Sequence, residues 1–260
     1  MYKLGTFIKM THSGCAYEDQ IRFVKTLHGL KSVEIWMEKL NLQDKEITGA
    51  RTLLDGIDVL IHAPFTNVSL ISCHEEINAE SLKIYKNLLK ISEKISAKSI
   101  TLHAGSYPNF FTTDEVREIA IKNIKILLQK SSIFTLENIS VGKKVNISYP
   151  TELSELAFLK KKIPELTFTI DIGHAIKNGN TKKEIEDFFM QYKDSIKDIH
   201  LHDAIHGGQD HTALGTGSLD IDWFFDVIKN CEYSNYINLE MLNNEDVKNS
   251  WKLLEKYINS

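Results

Sequence analysis

Apolar residues recur along this chain in two alternating rhythms. Short runs rich in β-branched residues appear as KLGTFI (3–8), SVEIW (32–36), DVLIHA (58–63), SITLHA (99–104), IFTLEN (133–138), LTFTIDI (166–172), IKDIHLHD (196–203) and YINLEM (236–241). Each is short and near-continuously apolar, as expected of a strand buried on both faces. Between them lie longer stretches such as EEINAESLKIYKNLLKISEKI (75–95) and TTDEVREIAIKNIKILLQK (112–130), where apolar residues return every three or four positions beside Lys and Glu. That spacing predicts amphipathic helices. Start signals precede several of them: Thr113-Asp114-Glu115, Pro150-Thr151-Glu152 and Asn243-Asn244-Glu245-Asp246.

Eight strand and helix alternations in 260 residues predict an α/β fold of the (β/α)8 barrel type, a single domain over residues 1–260. A doubly wound open sheet would more often carry a G-x-G-x-x-G turn after an early strand, and the chain has none. No linker rich in Pro, Gly or Ser divides the sequence. The glycine-rich stretch 207–217 is too short for a linker and reads as a loop over a site.

An ionisable side chain in a buried strand is costly unless it is paired or bound to a metal, so the exceptions to the apolar pattern carry the information. Six segments have one near the C-terminal end: His62, His103, Glu137, Asp171, His200 and Glu240. Their neighbours, Ile61, Leu102, Leu136, Ile170, Ile199, Leu201, Leu239 and Met241, are apolar. Side chains alternate along a strand, so these neighbours would face the helices while the polar residues converge at the barrel mouth. Thr101, Thr135 and Thr169 stand two positions earlier and would form a small polar layer beneath. Carboxylates mixed with imidazoles suit Zn²⁺ or Mn²⁺ better than Mg²⁺ or Ca²⁺, and the lack of thiolate ligands argues against a merely structural zinc.

Composition narrows the partners. The formal net charge is −4, and Arg22, Arg51 and Arg117 are the only arginines, so no extended cationic footprint for a nucleic acid backbone is evident. The N-terminus lacks the pattern of a signal peptide and no long apolar run could span a membrane, which makes a cytoplasmic protein the expectation. Cys15, Cys73 and Cys231 show no C-x-x-C spacing and read as reduced, space-filling thiols. Trp36, Phe65, Tyr107 and Trp223 are expected to serve core or rim packing more than a pocket wall, and GKK (142–144) to be a solvated cluster.

The ordered set HAPF (62–65), LHAGS (102–106), LEN (136–138), DIGHA (171–175), HLHD (200–203), H-x-x-L-G-x-G (211–217) and LEM (239–241) resembles the xylose isomerase-like barrel superfamily. That superfamily holds the endonuclease IV-type AP endonucleases and the sugar or sugar-phosphate isomerases and epimerases. The resemblance implies a four-ligand metal site at Glu137, Asp171, His200 and Glu240. In the endonuclease branch it further implies a second ion on His62 and His103, bridged through Glu137, and a third on His174 and His211. One to three divalent ions are thus expected. The aspartate of the third site falls at Gln209, and Asp210 stands one residue late.

Two activities follow from the resemblance. An isomerase or epimerase of a small hydroxy-carbonyl sugar would use Glu137 and Glu240 as its acid and base, with His174 and His202 touching the substrate. An AP endonuclease would use clustered zinc to hydrolyse a phosphodiester at abasic DNA. The acidic balance, and loops such as THSGCAYEDQ and FTNVSLISCHEE that hold neither Lys nor Arg, favour the sugar. His200 and His202 would both point inward, with Gly207, Gly208, Gly215 and Gly217 letting the following loop return His211 to the mouth, and His206 is expected to be a supporting or solvated histidine.

Overall fold

Eight parallel strands close on themselves in the computed structural model, which describes residues 1–9, 16–38, 44–142 and 145–258. Cys15, Lys143 and Lys144 lie outside the described residues. The strands are β1 (Lys3–Lys9), β2 (Ser32–Trp36), β3 (Asp58–His62), β4 (Ile100–Leu102), β6 (Phe134–Glu137), β8 (Thr167–Asp171), β9 (Ile196–Leu201) and β10 (Tyr236–Leu239). Each lies beside its predecessor and β10 returns to β1, the (β/α)8 arrangement that the alternation predicts. Around them run α1 (Ala16–Val24), α2 (Asp44–Leu53), α3 (Glu75–Ile95), α4 (Thr113–Leu128), α5 (Leu153–Lys162), α7 (Lys182–Tyr192), α8 (Ile221–Asn230) and α9 (Asn244–Leu254).

Three local departures from the sequence reading matter for the site. Ile172, expected at a strand end, opens a short helix, α6 (Ile172–Asn178), because the Asp171 carboxylate accepts the His174 N–H and caps it. Two four-residue strands, β5 (Gly105–Pro108) and β7 (Asn146–Tyr149), pair antiparallel beyond the barrel ends of β4 and β6. GSYP and NISY carry no periodic apolar pattern, so nothing local announced them. Thr112 rather than Thr113 caps α4, through a capping box with Glu115.

The outward neighbours form the wall between sheet and helices: Ile61, Leu102, Leu136, Ile170, Ile199, Leu201 and Leu239 are all buried in one core. Each contributes roughly 1.5–3 kcal/mol by leaving water. The barrel interior is polar. Thr169 Oγ1 lies 2.9 Å from Thr101 Oγ1 and 2.7 Å from Thr135 Oγ1. Deeper, the Ser32 hydroxyl donates to Asn238 Oδ1, and Asn238 Nδ2 donates to both oxygens of Asp198. Gly5 is required here, since a Cβ would overlap the Asn238 and Ser32 side chains. Cys231 is buried as expected, whereas Cys73 is exposed and fills no core space.

Candidate metal centre

His62, Glu137 and Asp171 are the last residues of β3, β6 and β8, His200 is the penultimate residue of β9, and His103 and Glu240 follow β4 and β10 directly. Because all six sit at the same end in the same phase of alternation, their side chains meet. Glu137 is the hub: its Oε2 lies 2.9 Å from His103 Nε2 and 3.3 Å from His62 Nε2, while its Oε1 lies 3.3 Å from His200 Nδ1 and 3.5 Å from His174 Nδ1. Glu240 Oε2 approaches His200 Nδ1 from the other side at 2.8 Å, and its Oε1 stands 3.6 Å from His211 Nε2.

These donors fall into overlapping groups whose ligand atoms lie within 4.8 Å of one another: His62, His103 and Glu137; Glu137, Asp171, His200 and Glu240; and Asp171, His174, His202 and His211. Each side chain expected from the sequence to hold metal or to touch substrate is in at least one group. Glu137 Oε1, His200 Nδ1 and Glu240 Oε2 are buried without a hydrogen-bond partner. Buried polar atoms are rarely orphaned, and convergent lone pairs at this spacing fit a divalent cation.

Supporting contacts fix the donors. The Asn138 side chain donates to Asp171 O (2.8 Å) and accepts from Asp171 N–H (2.9 Å), extending the β6 to β8 ladder by one amide. His202 is wholly buried: its Nε2 lies 3.0 Å from Asp171 Oδ2 and its Nδ1 accepts the His211 N–H at 2.9 Å. Its ring stacks on that of His211 with 4.2 Å between centroids. Gly173 lets the His202 ring approach, because a Cβ there would overlap it. His206 is exposed.

The loop that carries His211 hangs on one carboxylate. Asp203 Oδ1 accepts the N–H groups of Ala204 and Leu219, and Oδ2 those of Gly215 and Gly217, all at 2.9 Å. Gly215 has φ 84° and Gly207 φ 65°, both in the left-handed region, and a Cβ on Gly217 would overlap Asp203 Oδ1. His211 itself takes φ 54°, an uncommon conformation for a side chain of its size, and so is held by its surroundings.

The model of the xylose isomerase-like TIM barrel family matches residues 21–257. The chain belongs to that family. It is 26% identical over 221 residues to a probable endonuclease 4 of Aquifex aeolicus, covering 78% of this chain and 77% of that protein. It is 27% identical over 191 residues to an uncharacterized protein of Methanocaldococcus jannaschii, covering 72% of each. Among solved structures, a D-tagatose 3-epimerase-like protein superposes with a TM-score of 0.84 at 20% identity, over 99% of this chain and 97% of that one. Endonuclease IV from Thermus thermophilus superposes with a TM-score of 0.72 at 18% identity, over 99% of both chains. At such identities the superpositions establish a shared fold.

In this xylose isomerase-like barrel the imidazoles and carboxylates of the centre are coupled by charge. Burial pushes the Glu137 carboxyl up, but His103 and His200 beside it more than offset this and keep it well below the usual range. Glu240 is treated alike by His200 and His211. Burial disfavours a proton on His62, yet Glu137 raises its pKa to about 9. His211 is raised against the same penalty to about 11 by Asp210 and Glu240. Desolvation lowers His103 despite Glu137. Beneath them, burial and the charge of Glu34 push Asp198 up to about 7.

A cavity of about 300 Å³ opens over the centre, lined by Trp36, His62, Phe65, His103, Ile139, Ser140, Ser148, His174, His211, Glu240 and Leu242. Trp36 and Phe65 stack at 5.3 Å and so form a pocket wall, a role the sequence reading ranked below packing. Tyr107 is buried in the core, and Trp223 lies away from the cavity beside Lys182. Among the described residues, the lining contains no Lys or Arg. Glu34 was overlooked in the sequence although the same rule applied to it: an ionisable residue within the apolar SVEIW strand, its Oε2 lies 2.7 Å from His200 Nε2. Among the described residues, no helix is long and apolar enough to cross a membrane.

Proposed function

We propose that this barrel is a divalent-metal-dependent isomerase or epimerase of a small hydroxy-carbonyl sugar, with zinc or manganese as the ion. The observation that carries this reading is that Glu137 and Glu240 both stand beside His200 Nδ1, 3.3 and 2.8 Å away, with Glu240 in the lining of a cavity of about 300 Å³. Such a volume is at the small end of ligand pockets and suits one sugar.

Glu137, Asp171, His200 and Glu240 would hold the ion, which when bound supplies a Lewis acid for the substrate carbonyl. The residues do the rest. One of the two glutamates takes the proton from the carbon next to the carbonyl, and the other returns a proton on the opposite face or at the neighbouring carbon. His174 and His211, both in the cavity lining, hydrogen-bond substrate oxygens, and the stacked Trp36 and Phe65 pack on the apolar face of the sugar. His202, wholly buried and outside the cavity lining, is not placed to touch the substrate as the sequence suggested, and instead keeps Asp171 aimed at the centre.

A second reading, phosphodiester hydrolysis at abasic DNA, is favoured by the separate group of His62, His103 and Glu137 and by relatives named probable endonuclease 4 in Aquifex aeolicus and Thermotoga neapolitana. Adjacent ions suit hydrolysis. Against it stands a cavity lining without a cation among the described residues, where phosphate contacts call for Lys and Arg. The two are separated by incubating the zinc- or manganese-loaded protein with a ketose panel in D₂O, followed by NMR, and in parallel with an abasic duplex. Metal-dependent deuterium incorporation beside the carbonyl is expected. Strand nicking without any exchange overturns the sugar reading.

A further inference from the structure

The donor groups at the mouth are not equivalent. The group of Asp171, His174, His202 and His211 shares Asp171 with the group around His200, as the group of His62, His103 and Glu137 shares Glu137, and what sets it apart is a further carboxylate beside it. The carboxylate on its outer side, Asp210, is engaged by an ammonium. Lys177 Nζ lies 2.7 Å from Asp210 Oδ2, which leaves that oxygen 3.9 Å from His174 Nε2, with Asp210 Oδ1 3.4 Å from His211 Nδ1. Lys177 and Asp210 are each 20% exposed at the side chain, so the pair is largely shielded from solvent. The backbone holds the partners in register, since Gly207 N–H donates to Lys177 O at 2.9 Å and thereby ties the end of α6 to the loop before Asp210.

We propose that Lys177 is a built-in cation that takes the place of a divalent ion at this group: it claims Asp210, so His174 and His211 retain no ion and keep their nitrogens for substrate oxygens. The electrostatics run one way. A dication between His174 and His211 would face an ammonium a few ångströms off through poorly screening surroundings. The carboxylates left near it, Asp171, Glu137 and Glu240, all belong to the neighbouring group around His200. Burial works against ionisation of Asp210, but His211 and Lys177 hold its carboxyl well below the ordinary range. The inference rests on the reading that the group of Glu137, Asp171, His200 and Glu240 binds metal.

Metal stoichiometry tests it without any activity assay. The protein is stripped with chelator, reloaded with excess Zn²⁺, desalted, and its zinc per chain measured by plasma mass spectrometry. Lys177→Met is expected to retain one zinc more per chain than the wild type, and Lys177→Met combined with Asp210→Asn to return to the wild-type value. Three retained ions in the wild type, or an unchanged count in Lys177→Met, overturn the role of Lys177. No retained ion in the wild type overturns the metal-centre reading instead. Should Lys177→Met lose its native circular dichroism, Lys177→Gln also removes the ammonium and carries the same expectation.

Discussion

Replacing Asp203 with Asn tests whether the loop over the centre is held by a single buried carboxylate. Asp203 has no solvent exposure and accepts four backbone N–H groups, two on each oxygen. Asparagine keeps one acceptor oxygen and turns an NH₂ group toward the other two donors, so two charge-assisted bonds are lost and two buried N–H groups face a donor. Hydrogen bonds to charged groups are worth about 1.5–3 kcal/mol each, and breaking a buried charged contact typically costs about 3–5 kcal/mol. A loss of that size corresponds to roughly two to four orders of magnitude in an opening equilibrium. It should appear locally, because residues 204–219 can detach from the barrel while the strands stay paired. Hydrogen exchange monitored by mass spectrometry is therefore expected to show the amides of Gly215, Gly217 and Leu219 losing protection by that factor. Peptides from β3, β6 and β8 should change little. Unaltered protection at those three amides would refute the assignment of Asp203 as the anchor of the His211 loop.

Gly173→Ala should drive the His202 ring off Asp171, and a zinc titration should show affinity falling by about 10–100-fold, the usual effect of losing a partner that orients a ligand; unchanged affinity would contradict the role given to His202. Thr169→Val removes the hydroxyl shared by Thr101 and Thr135 and should lower stability by about 1–3 kcal/mol in urea denaturation, with no loss counting against the threonine layer. Glu240→Gln should lower ketose turnover by at least ~10²-fold with Tm retained; full turnover would remove Glu240 from the acid and base pair. In the chelator-treated protein, His62 titrates near 9 when folded against about 6.5 when unfolded. A raised folded pKa means that the stabilisation is complete below pH 6.5 and is lost as pH climbs through 9. His103 is shifted the other way, but its effect is spent below pH 6.5. Thermal melts should therefore show Tm falling from pH 6.5 to 9, and a rising Tm over that window would refute the pairing of a protonated His62 with Glu137.

Much of the barrel was legible because its strands are buried on both faces. A side chain such as His62 inside DVLIHA has no solvent to excuse it, so six such exceptions located the mouth. The same rule, applied to strand middles, would have found Glu34 and Asp198, which sit below the mouth among Ser32 and Asn238. Asn138 was visible as part of LEN, but its role depends on where the β6 to β8 ladder runs out. The β5 and β7 pair, with four residues each and no periodicity, was not readable at all.

Local sequence alone determined the alternation of elements, their phase, and hence which end of each strand carries a donor, because these depend on burial and on side chains a few positions apart. Only the closed barrel decided which donors stand together, since Glu137 meets His62, His103, His174 and His200 across strands that are distant in sequence. Tertiary structure also settled that His202 meets Asp171, that Asp203 gathers its loop, and that Asp210 turns to Lys177. Those choices are made by distances of about 3 Å between groups whose spacing along the chain is arbitrary, which no periodic pattern encodes.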